Sequence, residues 1–273
     1  MKRNLFLMAM ALMLSFIAHS QSSNPKHKNY FKSDDQISNK TYTVHFKDIV
    51  AKMDYAKLAM EIQNKSNDFM MFHLDEAEFV FDFGKYHPKE KTIFIFPNTS
   101  KRETLKVFGG YQFHVDAFQL IVDGLYVIPY KVKATALNDF KLPASTNSLE
   151  ASNFSVHLVK TSQKTSETYA KFQVEYTGEQ VAIIDPSKIS VKVDGTNLIY
   201  ANDDKKSKPI LLRRGEKTSI KAVFHIPGRI ADMQFSTLYI AWGDCFKESK
   251  PQKVKPTTVH FILDEGLTNA KNK

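Results

Sequence analysis

A single cysteine, Cys245, in a chain of 273 residues excludes an intramolecular disulfide and any zinc cluster built from cysteines. Packing and hydrogen-bonded backbone must therefore hold the fold. Recognisable catalytic signatures are missing as well: there is no G-x-S-x-G elbow, no G-x-G-x-x-G loop and no P-loop sequence. The nine histidines form no H-x-H or H-E-x-x-H pair from which a metal site could start. Beyond residue 20 no apolar run approaches membrane length, and no stretch has convincing helical periodicity. The sequence thus names no cofactor, no metal and no catalytic residue.

What the chain does have is a repeat. Tyr55-Ala56-Lys57-Leu58-Ala59-Met60-Glu61 returns 114 residues later as Tyr169-Ala170-Lys171-Phe172-Gln173-Val174-Glu175. A second echo, Phe113-His114-Val115 against Phe224-His225-Ile226, follows at 58 residues in one copy and 55 in the other. The echoes keep step, so two copies of one domain are expected. Taken alone, the first stretch is rich in the helix formers Ala, Lys, Met and Glu. Its partner alternates Phe172, Val174 and Tyr176 with Lys171, Gln173 and Glu175, the period of a half-buried strand. Carrying that register back puts Leu58, Met60 and Ile62 inside and Lys57, Ala59 and Glu61 outside.

Residues 1–20 read as a signal peptide: Lys2 and Arg3 precede an apolar run of fourteen residues, and Ala18-His19-Ser20 offers a small-residue cleavage site. The run falls short of the about 20 residues that a comfortable span needs. A cleaved chain starting at Gln21 resembles secreted proteins of some Gram-negative bacteria. The expected location is outside the cytoplasm: periplasm, outer-membrane surface or medium. Residues 21–40 read as a flexible leader.

Short alternating runs fill residues 41–140, the first expected domain. Its clearest local signal is Asp123-Gly124 between Leu120-Ile121-Val122 and Leu125-Tyr126-Val127-Ile128, which predicts a hairpin. Residues 141–152 are expected as a linker and 153–265 as the second domain, with a second hairpin at Asp194-Gly195. Val259 to Leu263 is expected to close that second domain, and 266–273 reads as a polar tail. Seven or eight short strands per copy predict an all-β protein of two tandem immunoglobulin-like β-sandwich domains. The second copy also resembles immunoglobulin-like domains of bacterial secreted and envelope proteins. The resemblance rests on Phe172-Gln173-Val174-Glu175-Tyr176, the hairpin strand ending Val193-Asp194-Gly195, and the turn Arg214-Gly215-Glu216-Lys217. It implies an adhesion, assembly or binding module without catalytic activity.

Charge is the remaining clue. Residues 21–140 carry 16 Lys+Arg against 15 acids, whereas residues 141–273 carry 20 against 14. Lys205, Lys206, Lys208, Arg213, Arg214, Lys217 and Lys221 concentrate the excess, and they are the candidate binding residues. Outside the cytoplasm such a patch suits a protein or an acidic envelope component such as a polysaccharide rather than nucleic acid. Asp75-Glu76-Ala77-Glu78 lacks the spacing of a calcium loop and reads as a solvated turn. Cys245 reads as a small, partly buried residue near a strand end. The expected function is a non-enzymatic binding or assembly protein; the alternative is an extracytoplasmic enzyme whose site forms only in three dimensions.

Overall fold

A computed structural model describes residues 26–33 and 36–273; the expected signal peptide lies outside the described residues. Among them the chain is all-β, with single 3-10 turns at Leu74–Glu76 and Pro186–Lys188 and one short helix, α1 (Glu265–Lys271). The first strands are β1 (Lys28–Ser33), β2 (Ile37–Ser38), β3 (Tyr42–Lys52), β4 (Tyr55–Asn64), β5 (Phe69–His73) and β6 (Glu78–Phe81). Then come β7 (Gly84–Tyr86), β8 (Thr92–Ile95), β9 (Ser100–Phe108), β10 (Ala117–Val122) and β11 (Leu125–Ile128). The second copy runs through β12 (Phe140–Leu142), β13 (Ser148–Ala151), β14 (Phe154–Gln163), β15 (Glu167–Tyr176), β16 (Val181–Ile184) and β17 (Ser190–Val193). It continues with β18 (Ile199–Ala201), β19 (Ile210–Leu212), β20 (Lys217–His225), β21 (Leu238–Ala241) and β22 (Phe246–Ser249), before β23 (Gln252–Lys253) and β24 (Thr257–Leu263).

The repeated heptapeptides become equivalent central strands. β4 lies between β3 and β9, and β15 lies between β14 and β20, with Leu58 opposite Leu105 and Phe172 opposite Ile220. Alternation decides the outcome over helix propensity: Leu58, Met60 and Ile62 are fully buried, as are Phe172, Val174 and Tyr176, although Ala59, expected outside, is buried as well at 6% exposure. The other elements match in the same order. β8-β5-β11 corresponds to β19-β16-β22, and β7-β6-β10 to β18-β17-β21. In each unit the sheets face one another across a core, forming a β-sandwich; one core joins Leu58 and Leu105 to Phe72 and Ile95, the other Phe172 and Ile220 to Trp242 and Phe246.

Several sequence expectations need correction. Part of the expected leader is structured: β1 pairs with β3 through Lys28 to Tyr30 and with β24 through Phe31 to Ser33, stitching two sheets of the first unit together. The expected linker contains β12, which pairs with β21, and β13, which pairs with β14. The strand expected to close the second domain belongs to the first. β24 pairs with β10, where Phe261 meets Phe118 and Val259 meets Leu120, and both residues are fully buried in the first core. It takes the position that β12 takes beside β21 in the second unit. The expected polar tail forms α1, whose Asp264 cap accepts the Leu267 N–H, and Thr268 Oγ1 accepts a hydrogen bond from the Tyr30 N–H at 2.9 Å.

Asp123-Gly124 is not a hairpin either, since β10 and β11 belong to different sheets. Gly124 (φ +83°) turns a corner between them, and its carbonyl accepts the His73 N–H. Asp194-Gly195 does close a hairpin, between β17 and β18. The second echo also fails by register. Because Val223 and Phe108 occupy equivalent places opposite Tyr169 and Tyr55, Phe224 corresponds to Gly109 rather than to Phe113. Phe113 folds back instead, so close that a Cβ on Gly109 would lie 2.5 Å from its ring. A loop residue thus supplies the buried ring that a strand residue supplies in the other copy.

β5 and β16 are buried on both faces, as their unbroken Phe-Met-Met-Phe and Val-Ala-Ile-Ile runs imply. Their outer faces meet. Phe69, Met71 and Ile128 from one unit pack with Val181, Ile183 and Leu211 from the other. At the rim Tyr130 Oη donates to Asp185 Oδ2 at 2.8 Å, and Lys247 Nζ lies 4.2 Å from the centre of the Tyr130 ring. Burial, followed by the bond to Asp185, pushes the Tyr130 hydroxyl up to about 12.

Candidate binding site

The seven candidate cations do not form one patch. Arg213 turns back to Glu216 at 2.8 Å and donates to Thr92 Oγ1 of the first unit at 3.0 Å, so it braces the junction between the units. Arg214 pairs with Glu179, Lys205 with Asp203, and Lys217 with Glu175 at 2.8 Å. These four cations are neutralised locally. Pairing of β15 with β20 brings Glu175 to Lys217, whereas Asp203 and Glu216 lie two and three residues from the cations they neutralise.

Lys206, Lys208 and Lys221 have no ion pair among the described residues, and they converge. They line a cleft of about 260 Å³, with Asp204, Ser207, Ile210 and Ser219 beside them. The cleft exists because the segment between β18 and β19 crosses the open edge of β20. Asn202 pins it there: its side-chain amide donates to Lys221 O at 3.0 Å and its oxygen accepts the Val223 N–H at 2.9 Å. Asp203 N–H donates to Val223 O at 2.8 Å. The one acid in the cleft, Asp204, accepts the Lys206 backbone N–H through its carboxylate.

Two lysines of this surface escaped sequence reasoning. On the outer face of the β14-β15-β20 sheet Lys160 stands directly opposite Lys171, and Lys171 directly opposite Lys221. The only signal for them is strand register, which a single sequence supplies poorly.

Other candidate groups are accounted for by structure. Glu76 binds Tyr126 Oη and Lys253, and Glu78 binds Lys85 at 2.7 Å. Cys245 is fully buried, and burial pushes its thiol well up, which removes nucleophilic character. His225 points outward, between Glu167 and Asp203. His114 lies in a loop at 2.9 Å from His27, lining an open hollow of about 650 Å³ with Asp116 and His260. Burial, then His27, holds its pKa below the usual imidazole value. Among the described residues, no three His, Cys, Asp or Glu side chains are grouped so as to hold a metal ion, and no helix is long and apolar enough to cross a membrane.

No protein-family model matches the chain, and no curated protein matches it. Among solved structures, the tandem CBM22 pair of Paenibacillus barcinonensis Xyn10C aligns at 10% identity over 86% of this chain and 97% of that one, with a TM-score of 0.24. The secreted serine protease VesC from Vibrio cholerae aligns at 11% identity over 87% of this chain and 53% of its own, with a TM-score of 0.15. AerE from Microcystis aeruginosa aligns at 10% identity over 86% and 99%, with a TM-score of 0.11. At these scores the three likenesses bear on neither the fold nor the function of this chain.

Proposed function

We propose that this chain is an exported, non-enzymatic binding protein whose two immunoglobulin-like units form one scaffold presenting a basic cleft to an anionic component of the cell envelope. Export is supported by the basic, apolar and small-residue succession of residues 1–20. The observation that carries the binding reading is the contrast within the segment 202–221. Four of its cations are satisfied by the protein's own acids or by the neighbouring unit, while Lys206, Lys208 and Lys221 line a cleft and retain their charge for something else. Placing charge on the loops of a rigid sandwich is how such scaffolds acquire partners.

Co-sedimentation of the exported chain with isolated anionic envelope material tests the reading. Binding should be strong at low salt and should fall as the Debye length shrinks from about 10 Å at 0.1 M to about 3 Å at 1 M. Lys206→Glu with Lys208→Glu should abolish it, whereas Arg214→Glu should change it little. Equal binding by the double variant and the parent would remove the cleft from the function.

A further inference from the structure

We propose that the second unit carries a track for an acidic polysaccharide, laid across its sheet along Lys160, Lys171 and Lys221 and ending in the cleft of Lys206 and Lys208. The proposal rests on the binding reading above and names its ligand. Residues directly opposite on antiparallel strands share a face, with Cβ atoms about 4.5–5.5 Å apart, and like charges in that position destabilise the sheet. Here three ammonium groups stand in one row across three strands. None has an ion-pair partner among the described residues. Acids on the same face are committed elsewhere: Glu175 to Lys217 at 2.8 Å, and Glu167 to His225 and Lys164, each at 3.4 Å.

The arrangement recurs, which argues against accident. In the first unit Lys57 stands opposite Lys106 at the same register as Lys171 and Lys221. There the row stops at two, because Val50 occupies the third strand, and Lys106 rests 4.2 Å from the centres of the Tyr55 and Phe108 rings. The second unit extends the row to a third strand, and Lys221 also lines the cleft containing Lys206 and Lys208.

The row's surroundings select among anions. Ser162, Tyr169 and Val223 flank it on one side, and His157, Gln173 and Ser219 on the other. These are uncharged or weakly basic groups, mostly able to hydrogen-bond hydroxyls. A chain of acidic sugars offers regularly repeated carboxylates along the row and hydroxyls beside it. The three lysines span about 10 Å, twice the inter-strand spacing. Strand addition by an acidic peptide is disfavoured, since Asn202 and Asp203 already occupy the β20 edge at Lys221 and Val223. Tyr169 is a single half-buried ring, which is no platform for successive stacked bases.

The test uses the full exported chain with polygalacturonate as probe, uncharged dextran as control, and anionic phosphatidylglycerol vesicles and single-stranded DNA as competitors. The parent should bind polygalacturonate in preference to all three, and the affinity should drop about tenfold or more between 0.05 M and 0.5 M salt. Lys160→Gln with Lys171→Gln should weaken it by a further factor of about ten while leaving the thermal midpoint unchanged or higher, because a like-charge contact is lost. Lys160→Arg with Lys171→Arg should retain binding, and its failure to bind would overturn the track whether or not the Gln variant folds. If only Lys206→Glu with Lys208→Glu abolishes binding, the cleft stands and the track is overturned. If the parent prefers vesicles or DNA, or treats polygalacturonate like dextran, the polysaccharide is the wrong ligand. If it binds no anion at all, the binding reading itself fails.

Discussion

Replacing Phe261 with Ala should loosen the first unit and spare the second, although Phe261 follows the second copy in the chain. Its side chain is fully buried, with its ring 5.0 Å from that of Phe118 and 5.7 Å from that of Phe46. Truncating a buried Phe to Ala costs about 3–5 kcal/mol, the sum of lost transfer energy and an unfilled cavity. At about 1.4 kcal/mol per tenfold, the opening equilibrium of the first unit should rise by roughly two to three and a half orders of magnitude. Hydrogen exchange read on peptides covering β4 and β10, against β15 and β21, separates the units. Trp242, 2% exposed in the second core, gives an independent fluorescence signal in urea. The first-unit peptides should lose protection at conditions where the Trp242 transition has moved little. Equal loss in β15 and β21, or a Trp242 transition that shifts first, would show that β24 does not complete the first unit. By the same reasoning, residues 41–140 expressed alone should not fold, because β10 would lack its β24 neighbour.

Three further outcomes follow from particular contacts. Tyr130 has a folded pKa raised to about 12, so its neutral form stabilises the fold below the unfolded value near 10 and that contribution is lost as pH rises toward 12; Tyr130→Phe should flatten the fall in stability over this window in pH-dependent urea titrations. Gly124→Ala forces a Cβ to within 2.5 Å of His73 O at φ +83° and should cost more than about 1 kcal/mol by thermal unfolding. Ile183→Asp would bury an unpaired carboxylate between the units; small-angle scattering should show a larger radius of gyration, with proteolysis appearing over residues 129–139.

The duplication was legible because Tyr169 to Glu175 alternates cleanly and the first copy echoes it, so tertiary register overrules the helix formers of residues 55–61. The docking surface was also written in the sequence, as the unbroken apolar runs of β5 and β16, although those runs alone do not say what covers the second face. Strand ownership was not legible. β24 alternates Val259 and Phe261 with His260 and Ile262, as any half-buried strand would, and nothing in that pattern names β10 rather than a strand of the second copy. The Asp-Gly corner shows the same limit. Asp123-Gly124 and Asp194-Gly195 satisfy the same conformational demand, a residue at positive φ, but only the second joins neighbouring strands of one sheet.

Density of charge along the chain proved a poor guide to the basic site for a related reason. Segment 202–221 collects seven cations, yet sheet pairing returns Glu175 to one of them, the loop after β15 returns Glu179 to another, and turn geometry returns Asp203 and Glu216 to two more. Lys160 and Lys171 looked unremarkable, being 11 residues apart and separated from Lys221 by a further 50. Antiparallel pairing turns those separations into lateral contact at strand spacing. Uncompensated charge is therefore a property of the register, and a bulge decides it here. The shift between Leu158 and Lys160 is what moves Lys160 onto the outer face opposite Lys171, leaving Val159 as the unpaired extra residue. Without that one-residue slip Val159 would stand opposite Lys171 and the row would end at two; the first unit carries a like slip between Lys47 and Val50, but there it sets Val50 opposite Lys57.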